Sequence, residues 1–135
     1  MPIPTPCRVL VVDDNPDAAE SLATVIRILG HEAQSLTSPH FVEPAIEHFK
    51  PHVLLLDISM PDMDGWTLAE RLRQRYPRDR LKLVAVTGHA TPSDHARSRS
   101  AGFDAHVAKP VGFEILQHLL EQCFTDSIRL PPKKN

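Results

Sequence analysis

Asp57 closes the apolar run LLLD, and Asp62 and Asp64 follow within seven residues in the stretch LLLDISMPDMDGW. Asp13 and Asp14 stand together directly after RVLVV. Thr87 ends LKLVAVT, and Lys109 comes just before Pro110 after the short run AHVA. Carboxylates serve as nucleophiles, acids or ligands for hard cations, while a hydroxyl and an amine can neutralise a phosphoryl group. Spacing around Asp57 alone leaves a metal site, a catalytic acid and a solvated loop all open. What decides is which of these residues the fold brings together.

The elements that position them read from hydrophobic periodicity. Arg8–Val12 is a β-branched run that stops at the acids. Pro16 and Asp17 then open a helical pattern with Ala19, Leu22, Val25, Ile26 and Leu29 on one face, ending at Gly30, where a left-handed cap is expected. His31–Leu36 reads as a more polar strand, and Pro39 starts a weaker helix through Phe49 that Pro51 ends. His52–Asp57 is almost wholly apolar, as a strand covered on both faces must be. Trp66, Leu68, Ala69, Leu72 and Tyr76 mark the next helix, stopped by Pro77, and Leu81–Thr87 is a fourth strand. Pro92 opens a helix that Gly102 closes. Ala105–Ala108 is a fifth strand, and Phe113, Leu116, Leu119, Leu120 and Phe124 give a last helix before a frayed tail, PPKKN. Strand and helix alternate five times, which predicts an α/β fold: a parallel sheet with helices on both faces. Ligands of such folds bind at the carboxyl ends of the strands.

Asp13, Asp14, Asp57, Thr87 and Lys109 all fall at that edge. Carboxylates crowded there repel by roughly 4 kcal/mol per pair at about 4 Å and an effective dielectric near 20, so they need cations or protons. Lys109 supplies one charge. A set of oxygen ligands without Cys or His calls for a hard ion, and Mg2+ suits it because it keeps waters and takes few carboxylates. The combination is suited to phosphoryl transfer onto a carboxylate.

Four blocks, VVDDN (Val11–Asn15), LLLDISMPDMDGW, VAVTGHA (Val84–Ala90) and AGFDAHVAKP (Ala101–Pro110), resemble in order and separation the response-regulator receiver domain of two-component signalling (CheY-like), over residues 8–124. The resemblance implies one doubly wound, flavodoxin-like sheet of order 2-1-3-4-5. Residues 1–7 are then a Pro-rich leader and 125–135 a tail. It makes Asp57 the phosphoacceptor, with Asp13, Asp14 and the Ser59 backbone carbonyl completing a Mg2+ site. Thr87 becomes the switch hydroxyl that moves toward the phosphoryl group, Lys109 the ion-pair partner of that group, and Lys109–Pro110 a cis peptide. The implied donor is a phosphohistidine on a sensor histidine kinase or histidine phosphotransfer protein, and the implied output is a protein bound on the helix 4–strand 5–helix 5 face. DNPDAAESL with MDGW resembles receivers attached to hybrid histidine kinases. The chain after residue 124 is too short for an output domain, so a stand-alone receiver or a piece of a hybrid kinase is expected.

Two positions depart from the family pattern. His106 stands where the family usually has Tyr or Phe, three residues before the lysine, which puts a titratable ring at the switch position. The helix PSDHARSRSA has almost no apolar stripe, with Arg99 where leucine is common, and is expected to be mobile or partner-dependent. Ser59 and His89 occupy positions that vary in the family and influence phosphoryl lifetime.

Simpler roles compete with each assignment. Asp13 and Asp14 can cap the first helix, Thr87 can be a polar strand end, and Lys109 can be a snorkelling surface lysine. Asp62 and Asp64 read as turn and cap residues. His89, His95 and His106 read as solvated, and Trp66 as packing. Two other functions compete. A haloacid-dehalogenase-type phosphatase needs an acid two residues after its nucleophile, where this chain has Ser59. A pseudo-receiver would bind partners without phosphorylation.

Bulk properties narrow the field further. The 135 residues suit one domain, and 41% hydrophobic with 24% charged residues is globular composition. A net charge of −2 argues against nucleic acid or an anionic membrane as partner. No run approaches a bilayer span and MPIPTPCR is no signal peptide. Cys7 and Cys123, over 100 residues apart, suggest neither a disulfide framework nor a metal cluster, so reduced thiols in the cytoplasm are expected.

Overall fold

The computed structural model describes residues 6–60, 64–88 and 91–122. The readings of Asp62, His89, Cys123, Phe124 and the 125–135 tail lie outside the described residues, as does most of the 1–7 leader. Five strands, β1 (Arg8–Val12), β2 (Glu32–Leu36), β3 (Val53–Asp57), β4 (Lys82–Thr87) and β5 (Ala105–Ala108), form one sheet in the order β2-β1-β3-β4-β5. Every pairing is parallel. Helices α1 (Pro16–Ile28), α2 (Val42–Phe49, preceded by a 3-10 turn at Pro39–Phe41), α3 (Gly65–Arg75), α4 (Pro92–Ala101) and α5 (Phe113–Gln122) connect or follow them.

Side-chain alternation divides the core between the two faces of the sheet. Leu10, Leu54, Leu56, Leu83 and Ala85 point one way, onto Ile46 of α2, Leu68 and Leu72 of α3 and Ala101 of α4. Val9, Val11, Leu55, Val84, Val86 and Val107 point the other way, onto Ala19, Ala23 and Ile26 of α1 and Leu116, Leu119 and Leu120 of α5. β3 and β4 are buried along their whole length, whereas the edge strand β2 is largely exposed. A buried parallel strand needs apolar side chains on both faces, which is why VLLLD shows no alternation.

Local caps fix where each helix begins and ends. The first helix is capped by Asn15, whose Oδ1 accepts from the Asp17 and Ala18 amides at 3.0 and 3.2 Å, so the acids Asp13 and Asp14 are not needed as caps. Lys50, in the left-handed conformation (φ 53°), ends α2 one residue before Pro51. Asp64 caps α3 through the Trp66 amide at 3.0 Å. Gly65 beside it has no room for a side chain, since a Cβ would lie 2.8 Å from the Ile58 Cα.

The α4 segment, expected from its sequence to be mobile or partner-dependent, is joined to its neighbours by polar contacts. It carries a Thr91–Asp94 capping box, and polar contacts replace the missing apolar stripe. Trp66 Nε1 donates to Ser98 Oγ at 3.1 Å, and the Arg97 guanidinium lies 4.0 Å above the Trp66 ring. Arg73 of α3 donates to the Gly102 carbonyl and to Asp104, while Asp104 also accepts from Arg78 and the Leu83 amide. Periodicity cannot register such attachments because the partners lie on other elements.

At the amino edge of the sheet two histidines accept the consecutive amides of Cys7 and Arg8, where β1 begins. Cys7 N donates to His31 Nδ1 at 3.1 Å and Arg8 N to His52 Nδ1 at 2.9 Å. Each ring must therefore carry its lone pair on Nδ1 and its hydrogen on Nε2. Burial holds the pKa of both below the ordinary value, with the Arg8 charge adding to the effect at His52. Folded-state values below the unfolded one mean that the unfolded chain binds the extra protons. This contribution to stability is complete above about pH 6.5 and is lost as pH falls toward the folded-state values. Urea unfolding should therefore show a weaker fold at pH 5.5 than at 7.5. In His31→Asn/His52→Asn the pH-dependent part of that difference should shrink, while each lost hydrogen bond costs roughly 1 kcal/mol at pH 7.5. An identical pH slope in wild type and double variant would contradict this account.

Candidate functional site

Parallel strands in register carry their terminal residues to a common edge. β1 runs out into Asp13, β3 ends at Asp57, β4 ends at Thr87 and β5 runs out into Lys109. Backbone bonds tie these ends together: Asp13 N to Leu36 O at 3.1 Å, Ile58 N to Val86 O at 3.0 Å and Lys109 N to Thr87 O at 2.8 Å. The Lys109–Pro110 peptide bond is cis. Asp13, Asp57 and Thr87 are buried; Asp14 faces solvent.

Lys109 Nζ bridges the two buried acids, donating to Asp13 Oδ2 and to Asp57 Oδ2, each at 2.9 Å. The other Asp57 oxygen, Oδ1, accepts from the Ser59 amide at 2.9 Å and the Ser59 hydroxyl at 2.6 Å. Asp13 Oδ1 accepts from the Asn15 amide at 3.0 Å. Burial disfavours the charged form of Asp57, but the Ser59 and Lys109 hydrogen bonds outweigh it and hold the carboxyl below its usual range. Burial likewise opposes charge on Lys109, and Asp13 and Asp57 outweigh it, so its pKa is raised.

Carboxylate oxygens of Asp13, Asp14 and Asp57 lie within 4.8 Å of one another. Three carboxylates against one ammonium leave two negative charges, the deficit that one divalent cation cancels. The donors are all oxygen. Ligands sharing one small hard ion at about 2.1 Å stand roughly 3–4 Å apart, so small side-chain rotations bring this group into range. A cavity of about 510 Å³ opens beside the acids, walled by Leu22 and Val25 of α1, Val86, Lys109 and Val111.

Of the residues singled out by sequence, Asp13, Asp14, Asp57 and Lys109 thus converge, with Thr87 joined through the Lys109 amide. Asp64 stands apart as the α3 cap. Ser59 was expected to offer only its backbone carbonyl, yet its hydroxyl is bound to Asp57. The signal was its position two residues on, where a short hydroxyl folds back onto a carboxylate. His106 was expected to be solvated and is instead buried, 6% exposed, with its ring stacked on His95 at 4.1 Å between centroids. These two histidines stand eleven positions apart on different elements, so no local pattern announced the pair.

An all-parallel α/β domain with an acidic, lysine-bridged cluster at the carboxyl edge is a recognisable class, and comparison with known proteins gives the family. Residues 9–121 match the response regulator receiver domain. The chain is 29% identical over 116 residues to the gliding motility regulatory protein of Myxococcus xanthus, covering 85% of this chain and 15% of that protein. It is 30% identical over 112 residues to the signal transduction histidine-protein kinase BarA of Escherichia coli, covering 83% of this chain and 12% of the kinase. A CheY-like response regulator receiver domain from Methanospirillum hungatei superposes with a TM-score of 0.77 at 30% identity, covering 87% and 93% of the two chains. The chain belongs to the response regulator receiver domain family of two-component signalling. Among the described residues no helix is long and apolar enough to cross a membrane.

The Lys109 bridge has a measurable consequence. Asp57's depressed pKa contributes stability that is present above the unfolded value near 3.9 and lost as pH falls through the folded value. Lys109→Met keeps the aliphatic stem and removes the charge. Stability near pH 7 should fall by roughly 1–3 kcal/mol in urea titrations, as the two carboxylates lose their shared donor. The Asp57 carboxyl should titrate higher, followed by carbon-13 NMR. Unchanged stability and an unchanged Asp57 titration would show that the ammonium does not hold the acids together.

Proposed function

We propose that the protein is a phosphoacceptor receiver that takes a phosphoryl group onto Asp57 in a Mg2+-dependent reaction and thereby switches a partner-binding surface. The observation that carries this reading is the arrangement of Asp57. It is a buried carboxylate at a strand end, held ionised by Lys109 and Ser59, beside an acid pair that leaves a deficit of two charges.

Asp13, Asp14, Asp57 and the Ser59 carbonyl are the residues that would hold the ion. When bound, Mg2+ supplies positive charge to the phosphoryl oxygens. An ionised Asp57 oxygen attacks the phosphorus of a phosphohistidine, the P–N bond breaks as the P–O bond forms, and the departing imidazole keeps the electron pair and takes up a proton. For Asp57 to react, one of its hydrogen-bonded oxygens must be released, and Lys109 can then transfer its donation to the incoming group. Thr87, one strand away, offers a hydroxyl to the phosphoryl group. The modification replaces the single carboxylate charge of Asp57 with an acyl-phosphate group of about −1.5 to −2, a net gain of up to about one negative charge, at a site from which β4 and β5 lead to α4, the route by which a partner on the α4–β5–α5 face would sense it. Relatedness to a sensor kinase supports a phosphohistidine donor on a sensor kinase or histidine phosphotransfer protein.

Purified protein given a radiolabelled acyl phosphate or a phosphorylated kinase should take up one acid-stable, alkali-labile label. EDTA should suppress uptake by at least about tenfold, and Asp57→Asn should abolish it. Label retained by Asp57→Asn at the wild-type rate would refute the assignment. Multiple turnover of phosphomonoesters would point instead to a phosphatase.

A further inference from the structure

Among the described residues, the buried side-chain polar atoms without a hydrogen-bond partner are Nδ1 and Nε2 of His106. Buried polar atoms are nearly always paired, so two orphaned nitrogens on one ring need a reason. Alternation along β5 explains the placement. Val107 packs into the α1–α5 layer, so its neighbour His106 points to the opposite layer, where the His95 ring of α4 covers it at 4.1 Å with 23° between planes. Rings so nearly parallel keep their lone pairs in separate planes, which excludes one metal ion shared between them. The contact is a ring-on-ring stack.

We propose that the His95–His106 stack is a pH-sensitive latch between α4 and β5, closed while the buried His106 ring is neutral and opened when His106 takes up a proton. His106 has nothing in its buried position to receive a second N–H, and a charge there would lie against the face of another titratable ring. The charged and titratable groups around it are few. From α4 come Asp94, His95 and Arg99; ahead of β5 is Asp104; and the β4 residue paired with His106 is the uncharged Ala85. Asp104 is already held by Arg73, Arg78 and the Leu83 amide. Burial, followed by His95, holds His106 below its ordinary pKa, and Asp94 opposes them only in part. A cavity of about 230 Å³ bordered by His95, Ser98, Arg99, Phe103 and His106 gives the charged ring space to turn toward solvent.

The latch needs no phosphoryl transfer, so it stands or falls apart from the reading of Asp57. Any partner that requires the closed α4–β5 joint binds less tightly below about pH 6.5, and by linkage such a partner holds His106 neutral.

The test is a histidine and amide NMR titration of the full chain between pH 8 and 5. Amides of Asp94–Ser98 and Ala105–Val107 should hold still at high pH. They should then shift together, with one midpoint below about 6.5 that is shared with the His106 ring. In His106→Phe this joint movement should vanish. Should that variant fail to fold, His95→Gln serves: His106 should then titrate at higher pH than in wild type. Amides that stay fixed through the imidazole titration, that move with the same midpoint in His106→Phe, or a His106 curve untouched by His95→Gln would each overturn the proposal.

Discussion

The Lys109 ammonium sits between two buried carboxylates that would otherwise repel across the mouth of the sheet. At an effective dielectric near 20, like charges about 4 Å apart cost roughly 4 kcal/mol, a large fraction of the total stability of a small domain. The strand order meets this constraint. Asp13 and Asp57 leave adjacent strands, β1 and β3, while Lys109 leaves β5, two strands from β3 and pinned to β4 by its own amide. Its long stem spans that gap, and a shorter side chain at the same place would not reach both acids. The residual deficit of two charges makes the edge receptive to a divalent cation and to the chemistry a cation supports.

The face that leads away from this edge is built differently from the rest of the molecule. α1, α3 and α5 are held by aliphatic stripes. α4 is held by a tryptophan–serine hydrogen bond, an arginine over the same indole, an arginine–carbonyl fork and a histidine stack. Apolar burial is insensitive to charge state and direction. Polar contacts are directional, and one of these is titratable, so this joint can be altered without disturbing the two core layers.

Much of the fold was legible from periodicity, because hydrophobic spacing and Gly or Pro punctuation are local properties. Among the described residues every strand and helix lies close to where that spacing puts it, although the α-helix expected from Pro39 starts at Val42, after a 3-10 turn. The exceptions are instructive. Lys50, not Pro51, terminates α2, since a left-handed residue is a backbone state that composition does not announce. Asn15 took the capping role that had been an alternative for Asp13 and Asp14. The acidic site was legible too, because in a parallel sheet the end of each strand must share one edge.

By itself the sequence determined the alternating elements, the parallel sheet and the set Asp13, Asp14, Asp57, Thr87 and Lys109 at its carboxyl edge. Each follows from residue type and spacing along the chain. Only the tertiary structure decided that Lys109 bridges two acids, that the Ser59 hydroxyl turns back on Asp57, that α4 is fastened by polar contacts and that His106 lies buried beneath His95. These depend on distances between elements far apart in the chain, and such distances exist only once the layers have packed.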